Sequence, residues 1–326
     1  MIMAMVAAAC VCLQAEDELA PFREEAAALR ETVETDAMRL FLDEVSALPE
    51  VEARTIHYRR GEDAVAYNET EFATLAEEEK EGLQSWTATT GRYYSTFYGS
   101  PLAYTRALDL VIDAGLEDFD GKRVADMGYG AITHLRLMAQ CGADVTGIEV
   151  MPILRALYSQ EVDQGEVTGA CGRTGSVTLV HGYWPVGVGD EVGDGYDLFM
   201  SRNTLKRGYI NPLFETPDFQ KVQLGVSDDA FLARIHDVLN PGGFAMVYNI
   251  GGGLAGEGED YNAPADIEDP FPREAWEKAG FEIISYSAND DEGARAVARA
   301  LGWDEGERGM KLDELFGRYT IVRRAD

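Results

Sequence analysis

Two glycines, one residue apart, follow a short apolar segment that ends in an acid. Residues 124–131 read VADMGYGA, and residues 132–140 after them are compatible with a helix. Glycine lets the backbone turn sharply and come close to a ligand. The free N–H groups at the start of the next helix can donate to an anionic or polar ligand. Gly128 and Gly130 therefore predict a strand, a tight turn and a helix that together form a binding site.

A carboxylate stands at the spacing that nucleotide recognition requires. Residues 144–149 predict a second strand that ends in Glu149, 21 residues after Gly128. In nucleotide-binding βαβ units, an acid about 20 residues after the glycine turn binds a ribose hydroxyl. The dinucleotide fingerprint also requires a third glycine where this chain has Thr133, which disfavours a dinucleotide.

The acid before the turn indicates a different nucleotide. Asp126, followed by Gly128 and Gly130, resembles motif I of the class I S-adenosylmethionine-dependent methyltransferases. The resemblance extends from about Leu102 to the C-terminus, roughly two thirds of the chain. This chain departs from the family pattern at Tyr129, where a small or polar residue is frequent. It also has HGYW at 181–184, where the family often places an adenine-binding aspartate.

Later segments predict the rest of a sheet in the same order. Further strands are predicted at 176–182, 196–203, 244–249, 281–286 and 318–323. Residues 238–244, VLNPGGF, are similar to the turn before the family's fifth strand. Alternating strands and helices favour an α/β protein with a parallel, doubly wound sheet. The resemblance implies seven mostly parallel strands with an antiparallel last strand, a Rossmann-like methyltransferase fold, beside an N-terminal helical cap.

The resemblance implies S-adenosylmethionine as the cofactor. Asp126 and the glycine turn would hold it, Glu149 would bind the ribose hydroxyls, and Tyr129 would contact the methionine end. The other residues predicted to line the cofactor site are Val150, Gly182, Tyr183, Ser201 and Tyr98.

Methyl transfer from a sulfonium requires mainly that the acceptor be placed correctly. A hydroxyl or protonated amine acceptor would also need a base. Asn203, after the fourth strand of the resemblance, is a candidate to orient the acceptor. His181, at the end of the third strand, is preferred as base over His134, because His134 lies in the first turn of a helix.

Three cations close to Asn203 stand out in an acidic chain. Either Arg202, Lys206 and Arg207 hold a carboxylate or phosphate of the substrate, or they pair with nearby acids such as Glu215 and Asp218. Lys206 is therefore a further candidate for the catalytic site. The predicted acceptor is a small molecule, and the first of these two alternatives would make it anionic.

The aromatic segment 93–104 and the glycine-rich loop that begins at residue 251 each have a functional and a structural interpretation. Residues 93–104 contain five aromatic residues and form either a lid or aromatic wall at the site, or packing between cap and core. Residues 251–256, GGGLAG, begin a loop that extends to Pro272 and either closes over substrate or remains solvated.

Composition excludes several classes of function. The net charge of −30 argues against a nucleic-acid substrate, because phosphate binding needs a basic surface. Solubility or a saline habitat explains the acidity more simply than an acidic partner-binding role. Four cysteines and four histidines show no metal-ligand spacing, so no metal site is predicted.

The N-terminal third is predicted to be separate from the nucleotide-binding part. Residues 1–15 are almost wholly apolar: either a signal or lipid-attachment leader, or a mis-called start or buried helix. They are too short to span a bilayer. Residues 16–100 are predicted as a helical cap, with helices at 16–48 and 70–83, and 101–326 as the cofactor-binding domain. Cofactor supply favours the cytoplasm, whereas a leader would mean export or anchoring.

Two other functions are compatible with the sequence. One is a nucleotide-binding module without transfer activity, which the changed residues Tyr129 and Tyr183 permit. The other is a nicotinamide-dependent oxidoreductase, which Thr133 and Asp126 disfavour. The acceptor and the oligomeric state do not follow from the sequence.

Overall fold

The computed structural model describes residues 17–61, 63–252, 261–307 and 309–325. The predicted leader and residues 253–260 of the glycine-rich loop lie outside these residues. The strands of the described chain are β1 (Arg54–Arg59), β2 (Val65–Asn68), β3 (Gln84–Ala88), β4 (Arg123–Met127), β5 (Asp144–Glu149), β6 (Gly165–Thr168), β7 (Thr174–His181), β8 (Tyr196–Arg202), β9 (Leu239–Gly252), β10 (Phe281–Asn289) and β11 (Leu315–Arg324).

Short helices separate and cover these strands. The α-helices are α1 (Ala20–Leu29), α2 (Asp36–Asp43), α3 (Glu69–Thr74), α4 (Glu77–Lys80), α5 (Thr90–Ser95), α6 (Thr105–Val111), α7 (Thr133–Gln140), α8 (Pro152–Leu157), α9 (Gly189–Val192), α10 (Arg207–Ile210), α11 (Asp228–Val238), α12 (Arg273–Lys278) and α13 (Asp291–Ala300). Within the described residues, none of these helices is long and apolar enough to cross a membrane.

The main sheet has eight strands in the order β10-β11-β9-β8-β4-β5-β7-β6. Strands β7, β5, β4, β8 and β9 are parallel, whereas β11 runs antiparallel to β9 and β10. The doubly wound α/β fold predicted from the sequence is confirmed, with one strand more than the seven predicted. The extra strand is β6, which pairs antiparallel with β7 at the edge of the sheet.

The order of the strands places a crevice beside β4. From β4 the chain moves through β5 to β7 on one side, and β8 and β9 lie on the other side. Open α/β sheets bind ligands at such a switch point, outside the carboxyl ends of the strands. The glycine turn at 128–130 directly follows β4 and therefore lies at this point.

Apolar side chains are buried on both faces of the sheet. Val124 and Leu198 belong to one apolar cluster, which also contains much of α7. The neighbouring Ala125 and Phe199 point to a second cluster on the opposite face, which contains Phe231 of α11. Burial on both faces explains why apolar residues are adjacent in these strands, as Val124 and Ala125 are in β4 and Leu198 and Phe199 are in β8.

The N-terminal region differs from the predicted helical cap. The helix predicted over 16–48 is interrupted between α1 and α2, because Asp109 accepts hydrogen bonds from the amides of Glu34 and Thr35, and Thr35 caps α2. The helix predicted over 70–83 is two short helices, α3 and α4, and Asn68 rather than Thr70 caps the first. The region also contains a small antiparallel sheet, β2-β1-β3, which the sequence analysis did not predict.

Candidate functional site

A cavity of about 610 Å³ opens at the carboxyl ends of β4, β5, β7 and β8. This volume is in the range, about 300–1,000 Å³, of pockets that bind small molecules and cofactors. Its lining includes residues from the aromatic segment 93–104, the glycine turn, the ends of β5 and β7, and the chain that follows β8. The lining residues used below are Tyr98, Tyr104, Gly128, Tyr129, Gly130, His134, Glu149, Val150, Met151, Gly182, Tyr183, Arg202, Asn203, Tyr209, Lys221, Val222 and Gln223.

Both glycines of the turn are required by backbone conformation and by space. Gly128 has φ +79° and Gly130 has φ +64°, in the left-handed region that favours glycine. A Cβ atom on Gly128 would lie 2.2 Å from Oγ1 of Thr204, and one on Gly130 would lie 3.2 Å from the ring of Tyr98. The turn therefore brings its backbone against two residues that flank the cavity.

Glu149 ends β5 and faces this turn. Its Oε1 accepts hydrogen bonds from the amides of Val150 at 2.8 Å and Met151 at 3.1 Å, and its Oε2 accepts one from Gly130 at 3.2 Å. The side chain is buried yet lines the cavity. Burial raises the pKa of the carboxyl, and the three amide donors oppose this rise. The arrangement fixes the carboxylate beside the glycine turn with acceptor capacity left for a ligand hydroxyl.

Beneath the cavity, Asp126 forms a buried cluster with Arg202 and His134. Nη2 of Arg202 donates to Oδ2 of Asp126 at 2.7 Å, and the imidazole of His134 is hydrogen bonded to the same oxygen. Burial opposes ionisation of Asp126, but Arg202 and His134 bring its pKa below the ordinary value. Burial and the adjacent guanidinium lower the pKa of His134 to about 4. The ring is therefore neutral at pH 7, and the cluster is an Asp–Arg ion pair.

Several polar atoms of this floor have no hydrogen-bond partner among the described residues. They are Oδ1 of Asp126, Nε of Arg202 and the hydroxyl of Tyr129, all buried. A buried polar atom without a partner costs about 1–3 kcal/mol. A ligand that carries both an acceptor and a donor for this pair would offset that cost.

Of the two candidate catalytic residues that follow β8, Asn203 lines the cavity and Lys206 does not. Asn203, with φ +57°, donates from Nδ2 to the Tyr104 hydroxyl at 2.6 Å and accepts from the Ile250 amide at 2.9 Å, while it lines the cavity. Lys206 is buried outside the lining, and its Nζ donates to the carbonyls of Ile250 and Pro264 at 3.1 and 3.2 Å. Burial lowers the pKa of Lys206 to about 8.

Two of the three cations near Asn203 pair with acids of the chain, as one of the two alternatives predicted, but with other acids than those named. Arg202 pairs with Asp126, and Arg207 pairs with Asp266 at 2.8 Å, rather than with Glu215 or Asp218. The cation that lies at the cavity with an exposed partner is Lys221. The positions of Lys221, Tyr209 and Gln223 at the cavity do not follow from the sequence, because the segment 203–226 has almost no periodic structure from which to place a side chain.

The remaining predicted residues divide into two groups. Val150, Gly182, Tyr183 and Tyr98 line the cavity. Ser201 and His181 are not part of the lining. Ser201 is buried and donates to the Met127 carbonyl at 3.1 Å. Both ring nitrogens of His181 are buried without a partner among the described residues, and its ring centroid lies 6.3 Å from that of Tyr129.

The aromatic segment 93–104 lies partly in the core and partly at the cavity. Tyr93 and Tyr94 are buried in the core, and the Tyr94 carbonyl accepts from the hydroxyl of Thr133, the residue that replaces the third glycine. Tyr98 instead packs its ring over Gly130 at the mouth of the cavity, and its hydroxyl contacts Sδ of Met151 at 2.8 Å. Tyr93 and Tyr94 therefore pack in the core, whereas Tyr98 covers the glycine turn.

Metal ligands do not gather at this site. Among the residues that the structure describes, no group of three or more histidine, cysteine, aspartate or glutamate side chains could hold a metal ion.

No protein-family model matches this chain, and no curated protein matches it significantly. Similar solved structures include an S-adenosylmethionine-dependent methyltransferase from Mesorhizobium loti, at 17% identity over 68% of this chain and 98% of that chain, with a TM-score of 0.39. Phosphoethanolamine N-methyltransferase 2 from Haemonchus contortus is 16% identical over 73% of this chain and 57% of that chain, with a TM-score of 0.40. The cyclase SpnF is 19% identical over 68% of this chain and 80% of that chain, with a TM-score of 0.41. Sequence identities and TM-scores this low do not show the function of this chain.

Proposed function

We propose that this protein is an S-adenosylmethionine-dependent methyltransferase that acts on a small molecule. The observation that carries the proposal is one cavity that is lined by a glycine turn, by a carboxylate at the end of the next strand, and by Arg202. The guanidinium of Arg202 is fixed by Asp126, which is buried beneath the lining. We take residues 16–100 as a cap and residues 101–326 as the cofactor-binding domain.

The described residues fit the cofactor part by part. Glu149, whose carboxylate is fixed by amides, would accept hydrogen bonds from the ribose hydroxyls. Tyr183 and Val150, which are exposed at the cavity, would contact the adenine. At the other end, Arg202, which lines the cavity and is held by the buried Asp126 beneath it, would bind the α-carboxylate.

The residues of the cavity would assist methyl transfer mainly by positioning the acceptor and by excluding water. The bound cofactor supplies an electrophilic methyl carbon on a sulfonium. The tyrosines of the lining would exclude water, and Asn203 holds Tyr104 against the end of the cavity that follows β8. An acceptor held in line with the methyl carbon reacts faster because its orientation is fixed before the reaction. Lys206 and His181 lie outside the lining, so we assign neither of them a step in the transfer.

Calorimetric titration tests the proposal directly. The chain from residue 16 onward is titrated with S-adenosylmethionine, S-adenosylhomocysteine and NAD⁺, with Glu149→Ala and the exposed Glu166→Ala of β6 as variant and control. Hydrogen bonds to a charged group contribute about 1.5–3 kcal/mol, so Glu149→Ala is expected to weaken binding of the sulfur nucleosides at least tenfold. Glu166→Ala should bind them like the unaltered chain.

Three other results would contradict the proposal. A folded chain that binds neither sulfur nucleoside would refute the proposal. Selective binding of NAD⁺ would favour the oxidoreductase. Tight binding without methyl transfer to any class of acceptor would favour a non-catalytic module.

A further inference from the structure

Lys221 lines the cavity, and its counter-ion, Asp218, is exposed. Nζ of Lys221 is 3.0 Å from Oδ1 of Asp218, and the two side chains are 29% and 92% exposed. An exposed pair of this kind contributes about 0–1 kcal/mol. Unlike Arg202, which is fixed by Asp126 in the interior, Lys221 can therefore exchange its partner for an anion in the cavity.

Lys221 lines the cavity together with Tyr104 and Tyr209, which are not among the residues assigned to the cofactor. The Val222 amide donates to the carbonyl of Tyr209 at 2.9 Å, which holds the Lys221 segment against the chain that directly follows β8. This placement rests on the proposed function, since it assumes the cofactor at Glu149 and the glycine turn.

The two phenols that line the cavity with Lys221 are hydrogen-bond donors rather than bases. Burial raises the pKa of Tyr104 to about 12 and also raises that of Tyr209, so both remain protonated at neutral pH. Among the described lining residues, the carboxylate of Glu149 is bonded to backbone amides and the imidazole of His134 is bonded to Asp126. A cation and phenolic donors favour an acceptor that is already an anion.

We infer that the acceptor is a small carboxylic acid, bound as its carboxylate by Lys221 and methylated on a carboxylate oxygen. A lone pair of that oxygen forms the new bond to the methyl carbon, and the carbon–sulfur bond breaks with its electron pair left on sulfur. The sulfonium becomes a neutral thioether, and the carboxylate becomes a methyl ester. No proton is transferred, so the reaction needs no general base.

A panel of matched acceptors tests the inference. Transfer of a labelled methyl group from S-adenosylmethionine is measured with benzoate, hexanoate, benzamide, benzyl alcohol, benzylamine and phenyl phosphate. Labelled product is then treated with base, because a methyl ester releases labelled methanol whereas a methylated amine does not. We expect base-labile label from a carboxylate and none from the matched amide.

Three variants connect the result to Lys221. Lys221→Met is expected to raise KM for the carboxylate at least tenfold, while the Kd for S-adenosylhomocysteine stays within twofold. Asp218→Asn, which removes the competing carboxylate, is expected to lower KM about two- to fivefold. Lys311→Met removes an exposed lysine that is paired with Glu314 three residues along the chain, as Lys221 is with Asp218, and should leave KM unchanged.

The test separates failure of this inference from failure of the proposed function. Base-stable label on the amine or alcohol would overturn the carboxylate inference, as would an unchanged KM in Lys221→Met. Label on phenyl phosphate alone would assign the lysine to a phosphate. If S-adenosylhomocysteine binds and no carboxylate is methylated, the carboxylate inference fails while the cofactor assignment stands. If the nucleoside does not bind, the proposed function itself fails.

Discussion

At the scale of single residues, the half-buried histidine at the end of β7, His181, makes stability depend on pH. Burial and the nearby Arg155 lower the pKa of His181 to about 4, whereas a histidine in an unfolded chain has a pKa of about 6.5. The unfolded chain therefore binds the proton more readily between these values. The contribution of His181 to stability is complete above pH 6.5 and is lost as the pH falls toward 4.

Replacement of this ring by one that cannot titrate isolates the effect. Urea unfolding of His181→Phe and of the unaltered chain is compared at several pH values. The free-energy difference between the two proteins should be constant from pH 7 to 8.5 and should shift in favour of the variant as the pH falls from 6.5 to 4. Parallel stability curves over that interval would contradict the assignment.

Two tyrosines of the same segment are expected to act in different ways. Tyr98 covers Gly130 at the mouth of the cavity, so Tyr98→Ala should weaken S-adenosylhomocysteine binding about two- to tenfold, with little change in Tm. Tyr93 is buried, and its hydroxyl donates to Oδ1 of Asp163 at 2.7 Å. Tyr93→Phe should instead lower the free energy of unfolding by about 1–3 kcal/mol and leave binding unchanged. Calorimetry and urea unfolding of both variants check this division, which equal effects on both measurements would refute.

At the scale of the secondary-structure elements, one buried ion pair connects the small sheet to the main domain. Arg54 of β1 donates from Nη1 to Oδ2 of Asp163 and to the Leu157 carbonyl, both at 2.7 Å. The carboxylate also accepts from the Gln160 amide at 2.8 Å and is fully buried. Removal of one partner leaves a buried charge unpaired, which costs about 3–5 kcal/mol.

We therefore expect Arg54→Leu to destabilise the protein by about 3–5 kcal/mol in urea unfolding. Combination with Asp163→Asn should recover part of that loss, because the double variant buries no unpaired charge. Losses that simply add in the double variant would show that the two residues act independently and that the small sheet is held by apolar packing alone.

The same elements show which parts of the fold follow from sequence. Strands β4 and β8 were predictable because burial on both faces places apolar residues next to one another in the sequence. The strand β1 was not predictable, because its inward positions include the charged Arg54, whose partner Asp163 lies 109 residues away. The break between α1 and α2 depends in the same way on the distant side chain of Asp109.

The candidate site was predictable to a similar extent. Local motif and spacing indicated Gly128, Gly130 and Glu149, which come together at the cavity. Spacing along the chain did not reveal that Arg202 is bonded to Asp126 or that Lys206 is turned toward backbone carbonyls. Those arrangements depend on how β4, β8 and β9 lie side by side, which no local pattern contains.

At the scale of the whole molecule, the net charge of −30 distinguishes the two forms of the proposed cofactor. S-adenosylmethionine carries a sulfonium and is a cation near neutral pH, whereas S-adenosylhomocysteine has no net charge. An acidic surface raises the local concentration of a cation but not that of a neutral zwitterion. At low ionic strength the protein should therefore favour the methyl donor over the product of the reaction.

Salt should remove this preference. The Debye length falls from about 30 Å at 0.01 M ionic strength to about 8 Å at 0.15 M, so distant acids then no longer act on the cavity. We expect the Kd for S-adenosylmethionine to rise at least twofold relative to that for S-adenosylhomocysteine between these two conditions, as measured by calorimetry. The neutral nucleoside is the internal control, since it has the same contacts except for the methyl group and its charge. A ratio of the two Kd values that does not change with salt would mean that only the acids close to the cavity determine how it binds a cation.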